Sequence, residues 1–150
     1  IGSDIPFTIF GGTALVEGRG EKITKLRSIE EEGLLIVKPD FGASTKRIYN
    51  EVDKNFKSRG ISYTDLMLEA INKGENYKGY LHNDLAEATI KLYPEVNSIL
   101  EKFKDEGVLG LMSGSGPTCY CFGDNDSIKK LYDYFSKKYK NVFITRVKSL

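Results

Sequence analysis

Two stretches of this chain carry residue types that could do chemistry. The first is Asp4, which follows Gly2 and Ser3 and precedes Ile5, Pro6 and Phe7. A carboxylate at such a turn can accept a proton from, or orient, a substrate hydroxyl. Aspartate is also a good helix N-cap, accepting from an orphan N–H of the first turn, and Pro6 suits that turn because its missing N–H would have no partner there. The spacing therefore predicts that the Asp4 side chain caps a short helix ending before Gly11 and Gly12; if capping were its whole role, it would do no chemistry. The second stretch is residues 111–122, LMSGSGPTCYCF. Small and turn-forming residues between two apolar runs read as strand, tight loop, strand. Its glycines permit positive φ and close backbone approach, and successive N–H groups in such a loop can form an anion-binding concavity. A glycine-rich hairpin without a ligand is the alternative.

The remaining candidates are weaker. His82 is the single histidine and no metal-ligand spacing surrounds it, so its expected role is structural. Cys119 and Cys121 lie two apart on one strand with side chains on the same face, which disfavours a disulfide and makes no zinc site; no metal site is expected. Free thiols suggest a reducing, cytoplasmic setting. Tyr132, Tyr134 and Tyr139 with Lys137, Lys138 and Lys140 read as a solvated helix face. The loop lacks both the Gly-Lys-Ser/Thr ending of a P-loop and the GxGxxG of a dinucleotide fold. The 150 residues carry 22 basic and 21 acidic side chains, a net charge of +1. That balance gives no footprint for nucleic acid or an anionic membrane, and no apolar run approaches a membrane span.

The elements that must position these groups follow from patterning. Residues 13–16 and 22–26 read as a hairpin around the turn 17–21, and residues 28–33 as an acidic linker. Residues 34–37 are a buried-strand signature. Ser44 or Thr45 caps a helix through Phe56, with Ile48, Val52 and Phe56 on one face. Ser62 starts a second helix and Asn83 caps a third, whose apolar spacing from Leu85 to Phe103 is interrupted by Pro94, where a kink or break is expected. Residues 108–112 and 118–122 flank the loop, Asp124 to Ser127 cap a further helix, and residues 142–147 form the last strand. From residue 34 the order is that of a split βαβ, an α+β ferredoxin-like fold with extra helices in its first crossover, helices on one face of an antiparallel sheet. A helix start and β-hairpin precede it.

GSDIPF (2–7), GGTALVEGRGE (11–21), KPDFGASTKRIY (38–49), LHNDLA (81–86) and SGSGPT (113–118), taken together and in this order, resemble the GHMP kinase superfamily of small-molecule kinases. The likeness is strongest to the member whose substrate is a cytidine diphosphate ester in non-mevalonate isoprenoid biosynthesis; a homoserine or mevalonate type of kinase, or a non-catalytic ferredoxin-like ligand-binding module, is the alternative. The resemblance implies that Asp4 lies beside the hydroxyl to be phosphorylated and that Arg19 contacts the substrate through its backbone. It implies further that Thr45 and Tyr49 hold the cytidine end, and that Gly114, Ser115 and Gly116 pack beside the phosphate-binding loop. Ser44 departs from the proline common just before that threonine. The resemblance implies use of ATP and Mg²⁺, bound mainly by an N-terminal half of which these residues contain only the tail. On this reading residues 1–32 end the N-terminal domain and 33–150 form the C-terminal domain. The chain, which begins at Ile1, is expected to be a fragment inactive alone, partnered by the missing half or by a second copy of the chain.

Overall fold

Helix breakers and β-formers divide the chain into elements close to those the patterning predicts. A computed structural model describes residues 4–29, 33–55 and 62–147. Helix α1 (Ile5–Phe10) ends at Gly11, whose φ of 68° suits glycine. Strands β1 (Ala14–Glu17) and β2 (Lys22–Lys25) pair antiparallel as a separate two-stranded sheet. Residues 30–32 of the expected linker lie outside the described residues, and Gly33, assigned to it, instead opens β3 (Gly33–Lys38). Helix α2 (Thr45–Asn55) follows, capped by Ser44, whose Oγ accepts from the Arg47 N–H at 3.4 Å; its expected end at Phe56 lies outside the described residues. Helix α3 (Tyr63–Lys73) is capped by Ser62 and closed by Gly74 at φ 70°.

The third expected helix is two helices. Pro94 has no N–H to donate and pushes Tyr93 out of the α region, to φ −138° and ψ 78°. Helix α4 (Ala86–Leu92) ends there and α5 (Pro94–Asp105) begins. Strands β4 (Leu109–Met112) and β5 (Cys119–Gly123) flank the glycine-rich loop, α6 (Asn125–Phe135) is capped by Asp124, and β6 (Asn141–Arg146) is the last strand. The four-stranded antiparallel sheet has the order β4-β5-β3-β6, the split βαβ arrangement read from the sequence.

The register explains the core. Leu35, Cys121 and Gly110 lie abreast, as do Val37, Cys119 and Met112, and the pleat turns both rows to one face. Val96, Ile99 and Phe103 of α5 and Ile128, Leu131 and Phe135 of α6 pack on that face. The Phe103 and Phe135 rings meet edge to face at 5.5 Å. Burying each such side chain is worth about 1.5–3 kcal/mol. The His82 ring stacks on Tyr63 at 4.7 Å and its Nε2 lies 3.0 Å from Asp84. Tyr134, on the expected solvated face, lies under Lys102 and Lys138.

Gly110 leaves room for Phe103, since a Cβ there would stand 2.2 Å from the ring's Cδ2. Gly110→Ala should destabilise the fold by about 1–3 kcal/mol, read as a lower urea midpoint at unchanged m-value. Burial also pushes the Cys119 and Cys121 thiols from their ordinary value near 9.0 up to about 12. The unfolded chain therefore loses these protons first, so their contribution is complete below about pH 9 and declines as pH rises from there towards 12. Unfolding free energy should be lower at about pH 10.5 than at about pH 8, with a smaller difference in Cys119→Ala, as urea titrations at both pH values would show.

Candidate functional site

The start of α2, the last turn of α4 and the glycine-rich loop meet at one place. Thr45 is the first residue of α2, and its Oγ1 lies 3.0 Å from Oγ of Ser115 in the loop. Tyr49 follows one turn later on the same face and is 51% exposed, leaving its ring open to a planar ligand. The Pro94 break explains how the α2 start is held. With Tyr93 out of helical geometry, its hydroxyl accepts from the Ser44 N–H at 3.1 Å and its ring stacks on Phe41 at 5.7 Å. Lys91 of α4 pairs with Glu51 of α2. The structure thus brings Thr45, Tyr49 and Ser115 together, with Gly114 and Gly116 on either side of Ser115.

The loop closes on itself through two backbone bonds, Ser113 N–H to Thr118 O and Gly116 N–H to Ser113 O, each 2.8 Å. Gly114 and Gly116 take φ of 52° and 76°, which L side chains rarely adopt. Asn83, expected to cap a helix, does something else. The N-cap of α4 is Leu85, and Asn83 lies two residues earlier. Its Oδ1 does accept from the Leu85 N–H at 2.9 Å, but its Nδ2 donates to the carbonyls of Met112 at 2.7 Å and Gly114 at 2.8 Å. Thr89, fully buried on α4, donates from Oγ1 to the Ser115 carbonyl at 3.4 Å. Sequence reasoning missed Asn83, Thr89 and Tyr93 as parts of this site. The available signal was Thr89, a polar residue on the inward stripe formed by Leu85, Ala88 and Leu92.

Asp4 and Arg19 lie elsewhere in the chain's organisation. Asp4 occupies the N-cap position of α1, yet its side chain makes no capping hydrogen bond, contrary to expectation; its backbone carbonyl instead accepts from Thr8 N at 3.0 Å and Thr8 Oγ1 at 2.8 Å. The residue's αR geometry (φ −84°, ψ −13°) is not the extended one of side-chain caps, and the carboxylate is exposed. Arg19 sits at the β1–β2 turn, where Gly18 and Gly20 take positive φ and its N–H donates to Glu21 Oε2 at 2.5 Å. Among the described residues no hydrogen bond joins Asp4 or Arg19 to Thr45, Tyr49 or the loop. ATP and Mg²⁺ are not assigned to these residues. Asp4 is the sole carboxylate among the candidates, and no group of three His, Cys, Asp or Glu side chains able to hold a metal ion occurs among the described residues.

A strand order of β4-β5-β3-β6 with a glycine-rich loop beside α2 and α4 has counterparts among known proteins. The family described as GHMP kinases, C terminal, matches residues 67–141, half of the chain, and the chain belongs to the GHMP kinase family. Among curated relatives, the 4-diphosphocytidyl-2-C-methyl-D-erythritol kinase of Clostridium acetobutylicum is 46% identical over 151 residues, covering 97% of this chain and 53% of that protein. The kinase of the same name from Clostridium kluyveri is 42% identical with the same coverage. The chain spans about half the length of the curated relatives it matches. Among solved structures, a 4-(cytidine 5'-diphospho)-2C-methyl-D-erythritol kinase superposes with a TM-score of 0.74 at 22% identity, over 95% of this chain and 52% of that one. The L. major mevalonate kinase in complex with R-mevalonate gives 0.69 at 18% identity, over 93% of this chain and 50% of that one. These two likenesses are of fold.

Proposed function

We propose that the chain is the C-terminal part of an ATP-dependent kinase that transfers the γ-phosphoryl group to a hydroxyl of 4-diphosphocytidyl-2-C-methyl-D-erythritol. The observation that carries this reading is the 46% identity, over 97% of the chain, with a kinase of that name. The separate sheets of residues 14–25 and of Gly33 onward support residues 1–32 as the end of an N-terminal domain and 33–150 as the C-terminal domain. Cys119 and Cys121, both free and buried, agree with a reducing, cytoplasmic setting.

Each candidate then has a role fitted to its geometry. Tyr49 stacks on the cytosine with its exposed ring, and Thr45 offers its hydroxyl to the same end of the substrate while held by Ser115. Arg19, whose N–H is taken by Glu21, offers its backbone carbonyl. Asp4, free of any cap, orients or deprotonates the acceptor hydroxyl. Gly114, Ser115 and Gly116 lie beside the phosphates. ATP supplies the phosphoryl group, and Mg²⁺ when bound neutralises charge on it; both belong mainly to the other half of such a kinase. Because phosphoryl transfer is catalysed chiefly by positioning and charge neutralisation, these 150 residues alone would be inactive. The partner is that other half, or a second copy supplying equivalent surface. Exposed Ile5, Ile9, Phe10 and Val16 support a partner on the first residues.

Asp4→Asn in the intact protein should lower kcat by about 10²–10⁴-fold with little change in KM; unchanged kcat would remove Asp4 from the mechanism. Tyr49→Leu should raise KM for the cytidine-bearing acceptor about tenfold, since stacking on a base is worth about 1–3 kcal/mol, and steady-state kinetics with varied acceptor reads this directly.

A further inference from the structure

The loop's two internal hydrogen bonds use the N–H groups of Ser113 and Gly116. The N–H groups of Gly114 and Ser115 have no protein partner among the described residues. What fixes their direction comes from outside the loop. A trans peptide is planar, so its C=O and N–H point in opposite directions, and pinning one aims the other. Asn83 Nδ2 pins the Gly114 carbonyl at 2.8 Å, and the N–H of that peptide belongs to Ser115. Its second proton pins the Met112 carbonyl at 2.7 Å, on the other side of Ser113. Both donor protons of the carboxamide are thus spent on the loop, while Oδ1 is tied to the Leu85 N–H, which fixes the amide plane. Thr89 Oγ1 holds the next carbonyl, that of Ser115, from the same helix.

We infer that Asn83 is a positioning residue that aims the Ser115 N–H away from α4 towards the reacting phosphate, with Thr89 holding the following peptide. This rests on the reading that the loop borders the transferred group. A donor fixed in advance costs no reorganisation when charge develops, so a loosened donor lowers kcat more than it weakens acceptor binding. Acceptor binding stays with Thr45 and Tyr49 on α2.

Asn83→Asp keeps the acceptor for Leu85 N–H and removes both donors. In the intact protein it should lower kcat at least about tenfold, with KM for the cytidine-bearing acceptor within about threefold. By ¹⁵N relaxation, the order parameter of Ser115 should fall from about 0.85 to below about 0.6 while the β4 and β5 amides keep theirs. Thr89→Val should shift kcat in the same direction by less, and Thr89→Ser should restore it. Wild-type kcat in a folded Asn83→Asp, or a raised KM at unchanged kcat, overturns the inference. If Asn83→Asp does not fold, Thr89→Val decides: unchanged kcat overturns it, and a fall rescued by Thr89→Ser supports it. If the wild-type protein does not phosphorylate the cytidine substrate, the functional reading fails, and relaxation alone judges Asn83: a rigid Ser115 in the variant overturns the positioning role and a mobile one supports it.

Discussion

Pro94 cannot donate a backbone hydrogen bond, and the site is built around that deficiency. The apolar spacing from Leu85 to Phe103 would otherwise run as one helix. Because it does not, Tyr93 swings out to reach the Ser44 N–H, and α2 begins where its hydroxyl holds it. Thr89 is left in the last turn of α4, facing the Ser115 carbonyl, while α5 packs on the sheet. It carries Phe103 over Gly110 and Val96 and Ile99 into the core. One missing N–H therefore separates a helix that serves the loop from a helix that serves the sheet. Restoring the donor would not remake the site by itself, since Tyr93 would also have to leave Phe41 and Ser44.

The glycine-rich loop shows how a flexible sequence becomes an ordered one. Glycine costs more conformational entropy to fix than any other residue, and this loop has two at positive φ. Two internal hydrogen bonds are modest compensation at about 0.5–1.5 kcal/mol each. The balance comes from Asn83 and Thr89 at α4 and from Thr45 at the start of α2, two separate stretches of chain. Gly116 is further enclosed, since a Cβ there would stand 2.6 Å from Met112 Sδ and 3.2 Å from Thr89 Cγ2. Gly114 has open space around it and owes its identity to φ alone. Of the side chains that order the loop, Thr45 ties it to α2, through its hydroxyl contact with Ser115.

Local rules made the sheet legible. Continuous apolar strand runs, a proline break, serine and aspartate caps and the split βαβ order are all short-range signals, and β3, β5, α5 and α6 follow them within a residue or two. Thr45 and Tyr49 entered through the family resemblance, and the structure places them one turn apart at the start of α2. The site was not legible where a side chain acts at a distance in sequence. Asn83 looks like a cap because Asn before a helix usually is one, and it does accept from Leu85; its two donor bonds span 29 and 31 residues. Tyr93 and Ser44 are 49 apart. Asp4 failed in the opposite sense: the sequence cue for a cap was present, but the backbone at Asp4 is already helical and cannot offer the carboxylate to the first-turn N–H groups.

The placement of Asp4 is a problem of rigidity. A carboxylate that acts on a hydroxyl must be held to within about half an ångström. Asp4 sits on a six-residue helix with no buried residue, followed by a two-stranded sheet of its own, and such a hairpin is marginally stable unless packed against something. Among the described residues Arg27 reaches the rest of the chain by lying over Gly74, where a Cβ would stand 2.3 Å from the guanidinium. Meanwhile Ile9 is 82% exposed and Ile5 and Phe10 each 46%, an apolar face on the very helix that Asp4 begins. Covering that face would remove apolar surface from water and fix the helix in the same act. On the proposed function, the surface that fixes α1 is then also the surface that would make Asp4 competent. On the proposed function, catalysis in this chain is coupled to whatever packs on Ile5, Ile9 and Phe10, in the way that the loop's geometry is coupled to Asn83.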